Sequence, residues 1–302
     1  MQVNNITDAI NTAITTFNPN FGGATVVNWI IGVIIAIVIG VTLIGGIKRL
    51  GSVTEKLVPF MSVVYILSCL IVIFGNIGAI GKVFGAIFTY AFTPKAVIGG
   101  AAGAALKMCI TWGVKRGVFS NEAGLGSAPI AHAASSETNP VKQGLYGIFE
   151  VFMDTIIICS LTGVTILIAF YNGGINWEYG VKGGNSIISS AFGTILGDKV
   201  GAIIIALAIS LFALSTILSW ALYGSRCCEY IFKSTKCIKP YYVIFMIITL
   251  VGCQMGSGLA WDIADTLNGL MAIPNLIALL GLSGVVVKLV KEHFASKDKL
   301  KD

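Results

Sequence analysis

Charge is what this sequence has least of. Asp, Glu, Lys and Arg make up 11% of its 302 residues, against about a quarter in a soluble globular domain. With 56% hydrophobic residues and a mean hydropathy of +0.88, the chain cannot cover a folded surface with polar groups. The apolar excess has to face lipid. Histidine occurs only at His132 and His293, too few for a His cluster that binds metal or relays protons. The seven cysteines contain no pair of CxxC motifs that could hold zinc. Cys69, Cys109, Cys159 and Cys253 lie in apolar runs as small packing residues, and Cys227, Cys228 and Cys237 would stay reduced on a cytoplasmic face. No HExxH, no acidic pair with a histidine and no nucleophile elbow is present, so the chain is not expected to be an enzyme. A net charge of +6 without a basic stripe and interleaved aromatics excludes nucleic acid as the expected partner.

Long apolar runs are what the sequence does have. A helix needs roughly 20 apolar residues to cross the hydrocarbon core, and seven stretches are candidates: Val26–Gly46, Leu57–Ile80 with Pro59 in its first turn, an irregular Val97–Ala134, Leu145–Tyr171, Val200–Tyr223, Tyr241–Met255 and Thr266–Val290. Residues 81–96 are apolar but short and read as an interfacial segment. None of the runs alternates with period two, and open sheet edges cannot face lipid. The fold class is therefore an all-α membrane protein of about seven transmembrane helices, packed closely through its 36 glycines. The whole of 1–302 reads as one transmembrane domain, with a polar segment at 1–25 and a charged tail at 291–302.

Basic residues give the orientation. With residues 47–56 inside, the inner side holds 13 of the 20 Lys and Arg, and Lys82, Lys95, Lys182 and Lys199 lie outside. This bias predicts a multi-pass protein of the cell membrane with a cytoplasmic C-terminus.

The third span carries the chemistry. Between Gly117 and Pro129 it holds Gly117, Gly124 and Gly126 as well as the proline, which predicts an interruption of the helix at membrane depth. Backbone groups released there find no partner in lipid. A cavity, an ion or a substrate can satisfy them, as discontinuous helices do in secondary transporters. Glu122 is costly at this depth unless paired or functional; packing alone would leave a kink, with Glu122 paired to Lys115 or Arg116. Glu150 and Asp154 are four apart and share a helix face. Ser215, Thr216 and Ser219 put hydroxyls on an apolar helix, where such groups bond back to their own turn or line cavities. Asp262 and Asp265 read as N-terminal caps of the last span.

At this point the chain resembles the alanine or glycine:cation symporters (sodium:alanine symporter family). The stretch Gly117-Val118-Phe119-Ser120-Asn121-Glu122-Ala123-Gly124-Leu125-Gly126-Ser127-Ala128-Pro129-Ile130-Ala131-His132-Ala133 carries the likeness most specifically. Gly45–Arg49 with Val53–Pro59, Phe149–Thr155, Phe212–Leu218 and Asn268–Leu276 agree with it in family order. The resemblance implies a leucine-transporter-like inverted-repeat fold, present in part, with the broken span as core helix six. It implies sodium-coupled symport of a small neutral amino acid, alanine or glycine, by alternating access across the bilayer, with Na+ as coupling ion and no enzymatic cofactor. By the same resemblance Phe119, Ser120, Asn121, Glu122, Gly124, Gly126 and Ser127 would contact the amino acid, Ser215 and Thr216 would bind sodium, and Trp220 would be a further substrate residue.

Two departures from the family pattern qualify the expectation. Met1-Gln2-Val3-Asn4 resembles a stretch internal to longer members, so the chain is expected to be an N-terminally truncated, incomplete carrier that does not transport alone. Ser225 stands where the family pattern has an acidic residue, which puts a cytoplasmic ion pair in doubt. The rival expectation is an ion channel or pore that uses the unwound third span as a filter.

Overall fold

The computed structural model describes residues 1–92, 102–172 and 184–298, with the side chains of 47–48, 90–92, 102–109 and 297–298 left aside. Lys95, Lys182 and the start of the third predicted span, at 97–101, lie outside the described residues. Every described element is helical: α1 (Gln2–Phe17), α2 (Ala24–Ile44), α3 (Gly46–Gly75), α4 (Ile77–Phe92), α5 (Ala102–Asn121), α6 (Ala128–His132), α7 (Pro140–Val151), a π-helical stretch (Phe152–Ile158), α8 (Cys159–Tyr171), α9 (Gly184–Leu196), α10 (Asp198–Phe232), a 3₁₀ turn (Thr235–Cys237), α11 (Ile238–Gly252) and α12 (Ser257–Asp298).

Among the described residues, six helical stretches are long and apolar enough to cross a membrane: Ala24–Ile44, Arg49–Gly75, Pro140–Tyr171, Asp198–Phe232, Thr235–Gly252 and Ser257–Ser296. They coincide with six of the seven expected spans. The seventh, the irregular third, is the pair α5 and α6. This is an all-α, multi-pass membrane protein.

Two boundaries need correction. The second span was expected to start near Pro59, yet α3 begins at Gly46 and encloses that proline. The charged turns before Pro59 stay helical because Lys, Arg and Glu are good helix formers, and the proline removes only the bond to the Glu55 carbonyl. Asp262 and Asp265 are not caps, because α12 starts at Ser257 and both lie within it.

The chain forms two compact units. Met1–Ala102 with Ser160–Trp261 is one, and Gly103–Cys159 with Asp262–Asp302 is the other. In the first, the core joins Val3 and Ile6 of α1, Ile31, Ile35, Ile39 and Leu43 of α2, and Ala213, Ile217, Leu218, Ala221 and Leu222 of α10. Although α1 is polar in composition, Val3, Ile6, Ala9 and Ile10 recur at helical spacing, and its buried side is Val3, Asn4, Ile6, Thr7 and Ala9. Asn4 Nδ2 donates to the Met255 carbonyl at 2.6 Å. Tyr65 of α3 shares a hydrogen bond of 2.6 Å with the Thr162 hydroxyl and meets the Phe212 ring edge-on at 5.6 Å.

Helices α9 and α10 touch backbone to backbone. A Cβ on Gly201 would lie 2.7 Å from the Gly193 nitrogen and 3.0 Å from the Phe192 carbonyl carbon. Neither atom can turn aside as a side chain could. Gly201→Ala is therefore expected to cost about 1–3 kcal/mol of overpacking, read as a lower unfolding midpoint of the purified protein in detergent. Gly113→Ala, which meets open space, is the matched control.

Candidate functional site

The site is built in the second unit around the end of α5. The helix stops at Asn121, and residues 122–127 are unwound before α6 begins at Ala128. The break is narrower than expected. Phe119, Ser120 and Asn121 belong to the last turn of α5, and Glu122, Gly124, Gly126 and Ser127 to the unwound stretch. Glu122 itself turns the chain out of the helix, with φ 54°, a left-handed conformation that few residues with a Cβ adopt. Gly126 makes the second turn at φ 79°. Pro129 has no N–H to return to the Leu125 carbonyl.

Side chains hold this opened backbone in place. Ser127, which is buried, donates its hydroxyl to the Glu122 carboxylate at 2.7 Å and so ties the two ends of the unwound stretch together. Asn121 Oδ1 accepts from the Ala123 amide at 3.0 Å, and its Nδ2 donates to the Thr155 hydroxyl at 3.1 Å. Ser120 donates to the Asp154 carboxylate at 2.7 Å. From α12, Asn275 donates to the Gly124 carbonyl at 3.0 Å.

Asp154 and Thr155 sit in the π-helical stretch, whose wider turn is the kind of local insertion that recurs at functional sites. The Ser120 and Thr155 hydroxyls both donate to the Asp154 carboxylate, at 2.7 and 3.3 Å, and the Asn121 amide nitrogen donates to Thr155, so this stretch is linked to the end of α5 by a chain of hydrogen bonds. Glu150, expected to share a face with Asp154, reaches a different partner: its carboxylate lies 3.4 Å from His132 Nε2, while His132 Nδ1 is 2.6 Å from Gln143 Nε2.

Lys115 and Arg116, on α5 before the break, share an acidic partner on α12. Both cations close on Asp265, at 2.9 and 3.1 Å, and both lie over the Trp112 ring, at 5.2 and 5.0 Å from its centre. Of the site residues, Asn275 had no role of its own in the sequence reading, and Asp265 was read there as a cap. Both lie on the last span, separated from the break by well over a hundred residues. The signal for Asn275 was its place in the Asn268–Leu276 stretch, directly after a proline inside a long helix.

In the first unit, Ser215 and Thr216 of α10 both donate to the Phe212 carbonyl, at 2.8 and 3.0 Å. Ser215 is buried and also lies 3.9 Å from the Met61 sulfur. Each hydroxyl thus spends its proton on its own helix and keeps oxygen lone pairs for another partner. Trp220 meets the Tyr223 ring at 5.9 Å. Ser225, standing in place of the expected acid, is buried and donates to the Leu222 carbonyl. Arg226 finds its carboxylate one turn on, in Glu229 at 2.6 Å.

The model of the sodium:alanine symporter family matches residues 1–302. The sodium/alanine symporter AgcS of Methanococcus maripaludis is 43% identical to this chain over 96% of it and 60% of its own length. The probable sodium/glutamine symporter GlnT of Bacillus subtilis is 36% identical over 97% of this chain and 58% of its own. The sodium/proton-dependent alanine carrier protein of Bacillus sp. strain PS3 is 30% identical over 97% of this chain and 65% of its own. The chain thus spans about three-fifths of the length of the curated relatives it matches. An apolar all-helical chain, a helix broken at an acidic residue and a full-length family match lead to one conclusion: this chain belongs to the sodium:alanine symporter family, a family of transporters and not of enzymes.

Proposed function

We propose that this chain is the greater part of a carrier that couples sodium entry to uptake of a small neutral amino acid, alanine or glycine, by alternating access in a leucine-transporter-like inverted-repeat fold. The observation that carries the reading is the unwound Glu122–Ser127 stretch between α5 and α6. A zwitterion leaving water needs fixed dipoles for both its charges. An interrupted helix provides them, with carbonyls and a carboxylate for the ammonium and free amides for the carboxylate. Phe119, Ser120, Asn121, Glu122, Gly124, Gly126 and Ser127 line or hold that stretch and are assigned to the amino acid. Ser215 and Thr216, with oxygen lone pairs left over on α10, are assigned to sodium. The basic bias of the loops supports a cytoplasmic C-terminal tail.

The test is uptake. The reading frame at its full length, purified and reconstituted into proteoliposomes, is expected to accumulate labelled alanine under an inward sodium gradient. Unlabelled glycine should compete, and replacing sodium with choline should reduce uptake to background. Relatives bear the names of both an alanine and a glutamine symporter, so glutamine belongs among the competitors. Uptake indifferent to sodium would remove the coupling assignment, and glutamine competing better than alanine would remove the substrate assignment.

A further inference from the structure

The unwound stretch does not keep its shape by its own hydrogen bonds alone. Within it, Leu125 N–H bonds back to the Glu122 carbonyl at 3.1 Å and Ser127 to the Glu122 carboxylate. The middle of the stretch, Gly124 to Gly126, is fastened from α12 by one carboxamide. Asn275 Nδ2 donates to the Gly124 carbonyl at 3.0 Å. The remainder of the same side chain fills the space over Gly126: a Cβ there would lie 3.0, 3.1 and 3.2 Å from Asn275 Oδ1, Cγ and Cβ. Asn275 follows Pro274, which cannot donate to the Leu270 carbonyl, so α12 is weakest in its own hydrogen bonding at this level.

We infer that Asn275 is a positioning residue for transport: by taking up the Gly124 carbonyl and walling off Gly126, it decides which backbone groups of the break face the amino acid. The inference rests on the transport reading above and goes beyond it by naming the residue that shapes the site from another helix. A carbonyl engaged by Asn275 is turned away from the substrate. Freed, the Gly124 peptide can rotate, and the amides of its neighbours lose the direction that receives a carboxylate. The effect is therefore on affinity for the amino acid more than on turnover.

The test uses variants of nearly the same shape as asparagine. At neutral pH the carboxylate of Asn275→Asp fills the same volume but cannot donate, and it faces the Gly124 carbonyl as a second acceptor. Its KM for alanine, measured in proteoliposomes relative to unaltered protein at each pH, is expected to rise about tenfold at pH about 7.5. As pH falls toward 5 and a membrane-embedded carboxyl regains its proton, the O–H can donate to Gly124 and the deficit should shrink. Asn275→Leu should show the deficit at every pH, with its maximal rate reduced far less. Asn275→Asp matching the unaltered KM at neutral pH, or a deficit that ignores pH, would overturn the inference.

Two results keep this inference apart from the transport reading. If the unaltered protein takes up alanine with sodium and the variants do too at equal KM, the inference alone fails. If the unaltered protein shows no sodium-driven uptake, the transport reading fails, and hydrogen exchange of the peptide covering 119–128 judges Asn275. Exchange there should be about tenfold faster in Asn275→Leu, and unchanged exchange sinks the positioning role.

Discussion

Gly126→Ala is expected to abolish sodium-driven alanine uptake while leaving the protein folded enough to purify. Two costs meet at this position. With φ at 79°, any Cβ is strained by roughly 1–2 kcal/mol. The new methyl would also press on Asn275 at 3.0 Å, tighter than ordinary van der Waals contact. The chain can escape only by moving the Gly124–Gly126 backbone or by pushing Asn275 off the Gly124 carbonyl. Either move spoils the dipoles that a bound zwitterion needs, and misplacement of such groups by about 1 Å is enough for a hundredfold loss. Gly117→Ala is the comparison. It meets open space within the α5 helix, where alanine is the better helix former, and uptake should be retained. Gly126→Ala transporting at the unaltered rate would show that the break does not carry the substrate.

The second large effect is expected at Asp265. Its carboxylate is 11% exposed and serves Lys115 and Arg116 together, whose side chains are 40% and 32% exposed. Neutralising it as Asp265→Asn removes the carboxylate that both cations share and leaves two like charges close together. Breaking a fully buried pair costs about 3–5 kcal/mol, and partial hydration of the two cations brings the expectation here to roughly 2 kcal/mol. The measurement is the unfolding midpoint in detergent together with uptake. Both should fall, because α5 then loses its charge tie to α12 about three turns before the point where Asn275 holds the break. Removing one cation as well, in Lys115→Gln combined with Asp265→Asn, should recover part of the loss. A double variant as unstable as the sum of its parts would mean that charge balance is not the cause.

The spans were legible because lipid imposes a single rule on long apolar runs, and α2, α3, α10 and α12 obey it within a few residues or a few turns. The break was legible too, since Gly124, Gly126 and Pro129 cannot sustain a helix together whatever surrounds them. Its width was not. Glycine at 117 permits unwinding but does not force it, and α5 continues past it to Asn121. Helix α1 hid behind its asparagines and threonines, although Val3, Ile6 and Ile10 recur on one side. A search for lipid-facing runs passes over a helix whose apolar side meets other helices.

Charge partners were the least legible of all. Local spacing placed Glu122 near Lys115 and Arg116, six or seven residues away. The fold brings Asp265 of a distant helix to both cations and the Ser127 hydroxyl to the Glu122 carboxylate. Glu150 and Asp154 read as sharing one helix face, yet the π-helical stretch opens between them and each finds a different partner.

By itself, then, the sequence determined that the protein lives in a membrane, that it is helical, and that one helix is interrupted between Gly117 and Pro129. Each of these follows from short-range rules, namely the cost of charge in lipid and the backbone limits of glycine and proline. Only the tertiary structure decided which groups face the break and what holds it open. Asn275 and Asp265 act on residues some 150 positions away, and no local preference encodes a contact between helices that must first be brought together.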